Sequence, residues 1–272
     1  DGPMSSNLYL AAAQCLGSDH VASKLELAVQ LHEDLSSGRL TREGEAGTAD
    51  LIDAGRPERP ELVPPNKLAQ RRIGTPEGQA ALVHAVAHIE FNAINLACDA
   101  VYRFRDLPDA YYVDWARVAA EEAYHFSLLQ TRLDQLGYSY GDFPAHNGLW
   151  ELAVKTADDP LLRMALVPRV MEARGLDVTP GMMQRFASIG DQQTVAVLEI
   201  ILRDEVGHVK AGSRWFHYLC EQRGLEPEST YFDLLARHLG AGIRCPLHKP
   251  ARREAGFTES ELGRLEELCK KS

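Results

Sequence analysis

Two short motifs place a carboxylate and an imidazole three residues apart, Glu122-Ala-Tyr-His125 and Glu205-Val-Gly-His208. On a helix, positions i and i+3 share a face, with Cβ atoms about 5–6 Å apart, so both side chains can reach one cation. A single such pair is an ordinary surface contact. The surroundings here are apolar. Glu122 and His125 interrupt the stripe Trp115, Val118, Leu129, Leu133, and Glu205 and His208 interrupt Leu198, Leu202, Trp215, Leu219. Glu90 breaks the series Leu82, Val86, Ala93, Ala97, and Glu172 follows Leu161, Ala165, Pro168. Four helical stretches each aim an acid at what their periodicity marks as core.

Burying an unpaired carboxylate costs several kcal/mol, and four together cost more. Protonation is one relief, and cations are the other. Two divalent ions balance four carboxylates, with two neutral imidazoles completing the shell. One Glu from each of two helices plus Glu-x-x-His from each of two others is the ligand set of di-iron and di-manganese helix bundles. The spacing fits a duplicated hairpin: 32 residues from Glu90 to Glu122, and 33 from Glu172 to Glu205. Carboxylate-rich sites with one His per ion suit iron or manganese better than zinc. The expected cofactors are two divalent transition metals, iron first, manganese or a mixed Mn/Fe pair next. The ligands read from the sequence are Glu90, Glu122, His125, Glu172, Glu205 and His208.

Other residues border this set. Glu121 and Asp204 precede the motifs and are candidates to accept the second N–H of each metal-bound His; turned about 100° away, they can equally be solvent-facing charges. Glu199 reads as a polar cavity wall. Tyr124 reads as a buried, hydrogen-bonded phenol. His84 and His88 lie on another face from Glu90 and read as packing or outer-shell residues. Cys245-Pro-Leu-His248 has metal-like spacing but stands alone. Pro168 sits within a helical stretch four residues before Glu172 and should distort it, freeing a carbonyl.

The elements that must position these residues are helical. Thr75-Pro76 and Asp159-Pro160 are cap-and-Pro starts, Asp109 and Asp191 are further caps, and Gly137, Gly175, Gly190 and Gly224 read as stops. Four long helices follow, A (76–105), B (109–136), C (160–174) and D (191–223). A short helix starting at Thr179-Pro180 lies between C and D, and a short helical stretch, Trp150–Thr156, lies in the long B-to-C connection. This predicts an all-α four-helix bundle with a long crossover between B and C. The expected organisation is residues 1–75 as N-terminal helices and a Pro-rich strap, 76–224 as the bundle, and 225–272 as a C-terminal arm and helix. Thr258-x-x-Glu261 reads as a capping box opening that last helix.

Composition narrows the class. Of 272 residues, 45% are hydrophobic and 25% charged, ordinary for a chain that buries a core. The formal charge of −10 gives no global pull on nucleic acid or anionic lipid. Local Arg-rich stretches at Arg56–Arg59, Arg71-Arg72 and Arg252-Arg253 remain candidates for a patch. Five cysteines without a C-x-x-C pair argue against a disulfide scaffold, a zinc ribbon or a built-in four-cysteine iron site. No apolar run reads as a membrane span and no leader pattern opens the chain, so a reduced, cytoplasmic setting without membrane is expected. Asp1-Gly2-Pro3 before Met4 resembles a cloning remnant.

The motifs His88-Ile-Glu-Phe-Asn-Ala-Ile94, Glu121-Glu-Ala-Tyr-His-Phe126, Gly141-Asp-Phe-Pro-Ala-His146, Glu172-Ala-Arg-Gly-Leu-Asp177 and Asp204-Glu-Val-Gly-His208 together resemble domain-of-unknown-function family 455, a ferritin-like family. The resemblance covers nearly the whole chain. It implies a ferritin-like four-helix bundle and carries the ligand set onto the same six residues, without implying a reaction. The leading expectation is a dinuclear, di-iron carboxylate oxidoreductase using O2 or peroxide on an organic substrate, with an external electron donor. Alternatives are redox modification of a tRNA nucleoside (hydroxylation or epoxide reduction), rubrerythrin-like peroxide reduction, and non-catalytic iron binding. Partners follow the reading: a small-molecule or nucleoside substrate, or tRNA. Oligomeric state is not legible.

Overall fold

Thr75-Pro76 starts a helix as read, with Thr75 Oγ1 accepting from Gly78 N–H at 3.0 Å and Pro76 in the first position. In this computed structural model, residues 6–44, 47, 49–50, 53–239 and 242–270 are described. Residues 1–5, including Asp1-Gly2-Pro3, lie outside them. Among the described residues the regular structure is helical, with two isolated backbone bridges and no strand. The chain divides into two compact units, Asp1–Val154 with Ile189–Val197, and Lys155–Ser188 with Leu198–Ser272.

The first unit contains α1 (Leu8–Gly17), α2 (Val21–Ser36), α3 (Pro76–Arg103), α4 (Asp109–Gln135) and all but the last residue of α5 (Gly148–Lys155). Helices α3 and α4 pack as a hairpin, with α1 against α3 and α2 against α4. The N-terminal helices therefore cover the helices that carry Glu90 and Glu122. Helix α3 has an 18-residue window apolar enough by composition to cross a membrane, which the sequence reading did not register; 78% of that window is buried within the protein. The strap is tacked down by backbone bonds, Gly55 N–H to Leu16 O (2.9 Å), Val63 N–H to Ala145 O (2.8 Å) and Ala145 N–H to Glu61 O (2.9 Å). Asp191 caps the next helix as expected, accepting from Thr194 N–H at 3.0 Å, and Arg132 pairs with it.

The second unit contains α6 (Pro160–Leu166), a π-helical segment (Val167–Glu172), α7 (Ala173–Ser188), α8 (Gln192–Gln222) from Leu198 onward, α9 (Pro227–His238), α10 (Lys249–Glu254) and α11 (Glu259–Lys270). Asp159 caps α6 through Leu161 N–H at 2.9 Å. Pro168 does distort its helix. The ladder widens into the π segment, in which Ala173 N–H reaches back five residues to Pro168 O. The expected stop at Gly175 and fresh start at Thr179-Pro180 are not found; the helix runs on to Ser188 with Pro180 inside it. Thr179 Oγ1 donates back to Gly175 O at 2.6 Å instead of accepting from a following N–H, so it bonds the preceding turn and caps nothing.

The C-terminal residues hold more order than an arm. Helix α9 was not foreseen, because its cap is Glu226, which accepts from Glu228 and Ser229 N–H (3.1 and 2.7 Å) and lies outside the short side chains that usually cap. Helix α10 occupies part of the stretch expected to be irregular. The Thr258–Glu261 capping box forms reciprocally, at 3.0 Å in each direction. Cys245 and Cys269 are joined in a disulfide, while Cys15, Cys98 and Cys220 are free and buried. An odd count leaves room for one pair, and the end of α11 returns to the segment before α10. His248 serves as the cap of α10.

These C-terminal helices clamp the π segment. Arg169, fully buried, is 3.0 Å from Glu261 Oε2, donates to Ser213 Oγ at 3.0 Å, and lies over the rings of Tyr231 and Phe257. Tyr231 OH donates to Arg169 O at 2.7 Å. A Cβ on Gly212 would sit 2.3 Å from the Pro168 side chain, so only Gly permits that approach. Removing one partner of a buried pair strands the other charge, at about 3–5 kcal/mol. Glu261→Ala is therefore expected to lower the unfolding free energy by about 3–5 kcal/mol, read as a lower urea midpoint; an unchanged midpoint would show that Arg169 needs no counter-charge.

Candidate metal centre

Helix α4 presents Glu122 and His125 one turn apart on its inward face, and α3 brings Glu90 against them. His125 Nδ1 is 3.4 Å from both Glu90 Oε2 and Glu122 Oε2. All three residues are buried, and one potential ligand atom from each lies within 4.8 Å of the others. Glu90 Oε2 has no hydrogen-bond partner. Two carboxylates and an imidazole at this separation, with an oxygen left over, fit a divalent cation by charge and by donor type.

The second unit repeats the local construction. His208 is 1% exposed, and its Nδ1 lies 3.2 Å from Glu205 Oε2. Glu172, also buried, closes the π segment. One turn before it, Pro168 touches Gly212 of α8, and one turn before Gly212 comes His208. In both motifs the imidazole Nδ1 faces the carboxylate of its own turn, at 3.4 and 3.2 Å.

The bordering residues divide. Glu121 is half-buried and lies 3.8 Å from Arg117 Nε, and Asp204 Oδ1 lies 3.2 Å from Arg203 Nε. Tyr124, expected to be buried, is 47% exposed, and Glu199, read as a cavity wall, is also exposed. Both follow α-helical rotation away from the inward face. His84 and His88 pack as read: His84 Nε2 accepts from Gly141 N–H at 2.9 Å, and His88 bonds Tyr140 OH (2.9 Å) and His146 O (3.0 Å). Burial lowers both pKa values to about 4, so both are neutral at pH 7. Of the Arg-rich stretches, Arg252 belongs to no surface patch, being buried and bidentate to Asp177 at 2.7 and 2.9 Å.

Sequence reading passed over Lys24, Asn92 and Asn95, all buried. Lys24 had a signal, since it falls on the same helix face as Val21, Ala28 and Leu31.

Residues 17–263 match the family described as "Protein of unknown function (DUF455)". An uncharacterized protein of Haemophilus influenzae is 48% identical over 219 residues, spanning 78% of this chain and 76% of that one. No solved structure matches.

Proposed function

The chain belongs to the DUF455 family of proteins of unknown function, and we propose that it is a dinuclear carboxylate oxidoreductase, built on a ferritin-like bundle, that uses O2 or peroxide on an organic substrate. The observation that carries this reading is the Glu90–Glu122–His125 cluster, three ligand-type side chains gathered within 4.8 Å in the core. The same Glu-x-x-His motif recurs at Glu205–His208, where Nδ1 lies 3.2 Å from Glu205 Oε2, and Glu172 precedes Glu205 by 33 residues against 32 for Glu90 and Glu122. In this reading Glu90, Glu122, Glu172 and Glu205 together would hold two divalent ions, with His125 on one and His208 on the other, iron first, manganese or a mixed pair next.

When bound, two ferrous ions supply the electrons that activate O2 or peroxide. The chain supplies four carboxylates that offset the cations' charge and two neutral imidazoles. It also supplies packed walls, including Ala119, Ala123 and Phe126 beside Glu122, which keep bulk water off the ligands. The cysteines form no four-ligand iron site, two of them being joined to each other, so electrons come from an external donor.

The test is anaerobic loading with Fe(II), then O2, followed by optical and Mössbauer spectroscopy. About two irons per chain and an oxygen-dependent spectral change are expected, as the di-iron ligand set requires. Many irons per chain would favour storage, and an unchanged spectrum would leave metal binding without redox function.

A further inference from the structure

A second group of buried polar residues lies on the other side of α3 from Glu90. At 100° per residue, Asn92 and Asn95 point about 140–200° away from it. They line a cavity of about 330 Å3 in the first unit, with Arg56, His88, Phe91 and Trp150, and with the exposed Asp53 also on its wall. That volume is at the small end of ligand pockets, about 300–1,000 Å3.

Charge beneath this cavity is unbalanced. Lys24 is fully buried, and its Nζ donates to Cys15 O (3.0 Å), Leu16 O (2.7 Å) and Asn95 Oδ1 (2.6 Å). Three accepting oxygens need three N–H donors, so the amine is a protonated ammonium. Among the described residues no carboxylate lies within ion-pair distance of it; Asp19, whose field reaches it, is exposed. Cys15 Sγ lies 3.6 Å from Lys24 O, and its hydrogen bond with Cys98, together with the field of Lys24, lowers its pKa. The bond from Lys24 also fixes the Asn95 amide, because only Oδ1 can face an ammonium. Asn95 Nδ2 is left as a buried donor with no hydrogen-bond partner, on a side chain 1% exposed.

The rest of the lining selects among ligands. Both His88 nitrogens are taken by Tyr140 and His146, so it offers a flat neutral ring. Phe91 and Trp150 add apolar walls. Arg56 is exposed at the mouth, its Nη1 held only by contacts of 3.4 and 3.5 Å to Pro57 O and Pro60 O. A buried cation relayed through an amide donor, an exposed guanidinium at the mouth and flat apolar walls together suit an anion with a planar body.

We propose that this cavity binds a small carboxylate with a flat apolar body, its oxygens taken by Asn95 Nδ2 and Arg56 and its body lying against Phe91 and Trp150. The site is separate from the metal ligands and does not depend on them. The test is 19F NMR titration of the full chain with 4-fluorobenzoate, with and without iron. Neutral 4-fluorobenzamide and inorganic phosphate are the comparison probes. Saturable 4-fluorobenzoate binding is expected, equal in both metal states and at least about tenfold tighter than the benzamide, a factor equivalent to about 1.4 kcal/mol. Arg56→Ala removes only an exposed side chain. Asn95→Asp keeps an oxygen for Lys24 while exchanging the donor for a carboxylate. Each is expected to weaken binding at least about tenfold, with thermal melting retained. No saturation up to about 10 mM, far weaker than pockets of this kind bind, would overturn the proposal. So would binding only with iron present, affinity in both variants unchanged from that of the unsubstituted chain, or phosphate binding more tightly than the carboxylate.

Discussion

Glu122→Ala and His208→Ala are each expected to lose at least one of about two bound iron equivalents per chain, the stoichiometry the di-iron ligand set requires. Glu122 is fully buried beside Glu90 and His125, so truncating it removes one of three donors gathered within 4.8 Å. Loss of one carboxylate removes a donor and one unit of counter-charge, and so weakens the hold on a divalent ion. His208, 1% exposed and 3.2 Å from Glu205, is the corresponding residue of the second motif. Glu122→Gln keeps volume while removing charge, and is expected to fail likewise. Tyr124→Phe and Glu199→Gln, altering exposed residues, should retain both equivalents. Metal analysis after gel filtration reads the result. Retention of both irons in Glu122→Ala or His208→Ala would contradict the ligand assignment.

Removing metal should also lower the melting temperature at neutral pH. The clustered carboxylates then lose their counter-charge while remaining buried. An ion present at 1,000 times its dissociation constant stabilises the folded state by about 4 kcal/mol. At about 2–4 °C per kcal/mol for a chain of this size, the apo protein should melt roughly 10 °C lower. The gap should narrow as pH falls, because protons then take the place of the cations on the carboxylates. Calorimetry of iron-loaded and chelator-treated protein between pH 7 and pH 5 measures both effects. An apo form melting at the same temperature as the loaded one would mean that Glu90, Glu122 and His125 are balanced without a cation.

Those two results would connect the ligand set to stability, but the parts of it were not equally legible. The Glu-x-x-His faces could be read because i and i+3 meet on any helix, whatever lies opposite. The same holds for Thr75, Asp159 and Asp191, whose caps form within one turn. Thr179-Pro180 has the same lettering as Thr75-Pro76 and does the reverse, because a threonine hydroxyl can donate backward as well as accept forward. Glu226 capped a helix that a list of short cap residues would not predict. Tyr124 lies between Glu122 and His125 in the chain and yet faces solvent, because one residue along a helix is 100° of rotation.

By itself, then, the order of residues determined where the long helices begin and which of their faces carry acids and histidines. These properties depend on backbone bonds and rotations spanning four residues or fewer. Only the folded chain decided that Glu90 meets His125, that Arg169 takes its counter-charge from Glu261, and that Lys24 is buried with its ammonium bonded to Cys15 O, Leu16 O and Asn95 Oδ1. Each of those joins residues 35 to 92 positions apart, or depends on which groups surround a buried charge. Electrostatic balance in a core is set by spatial neighbours, which no local pattern encodes.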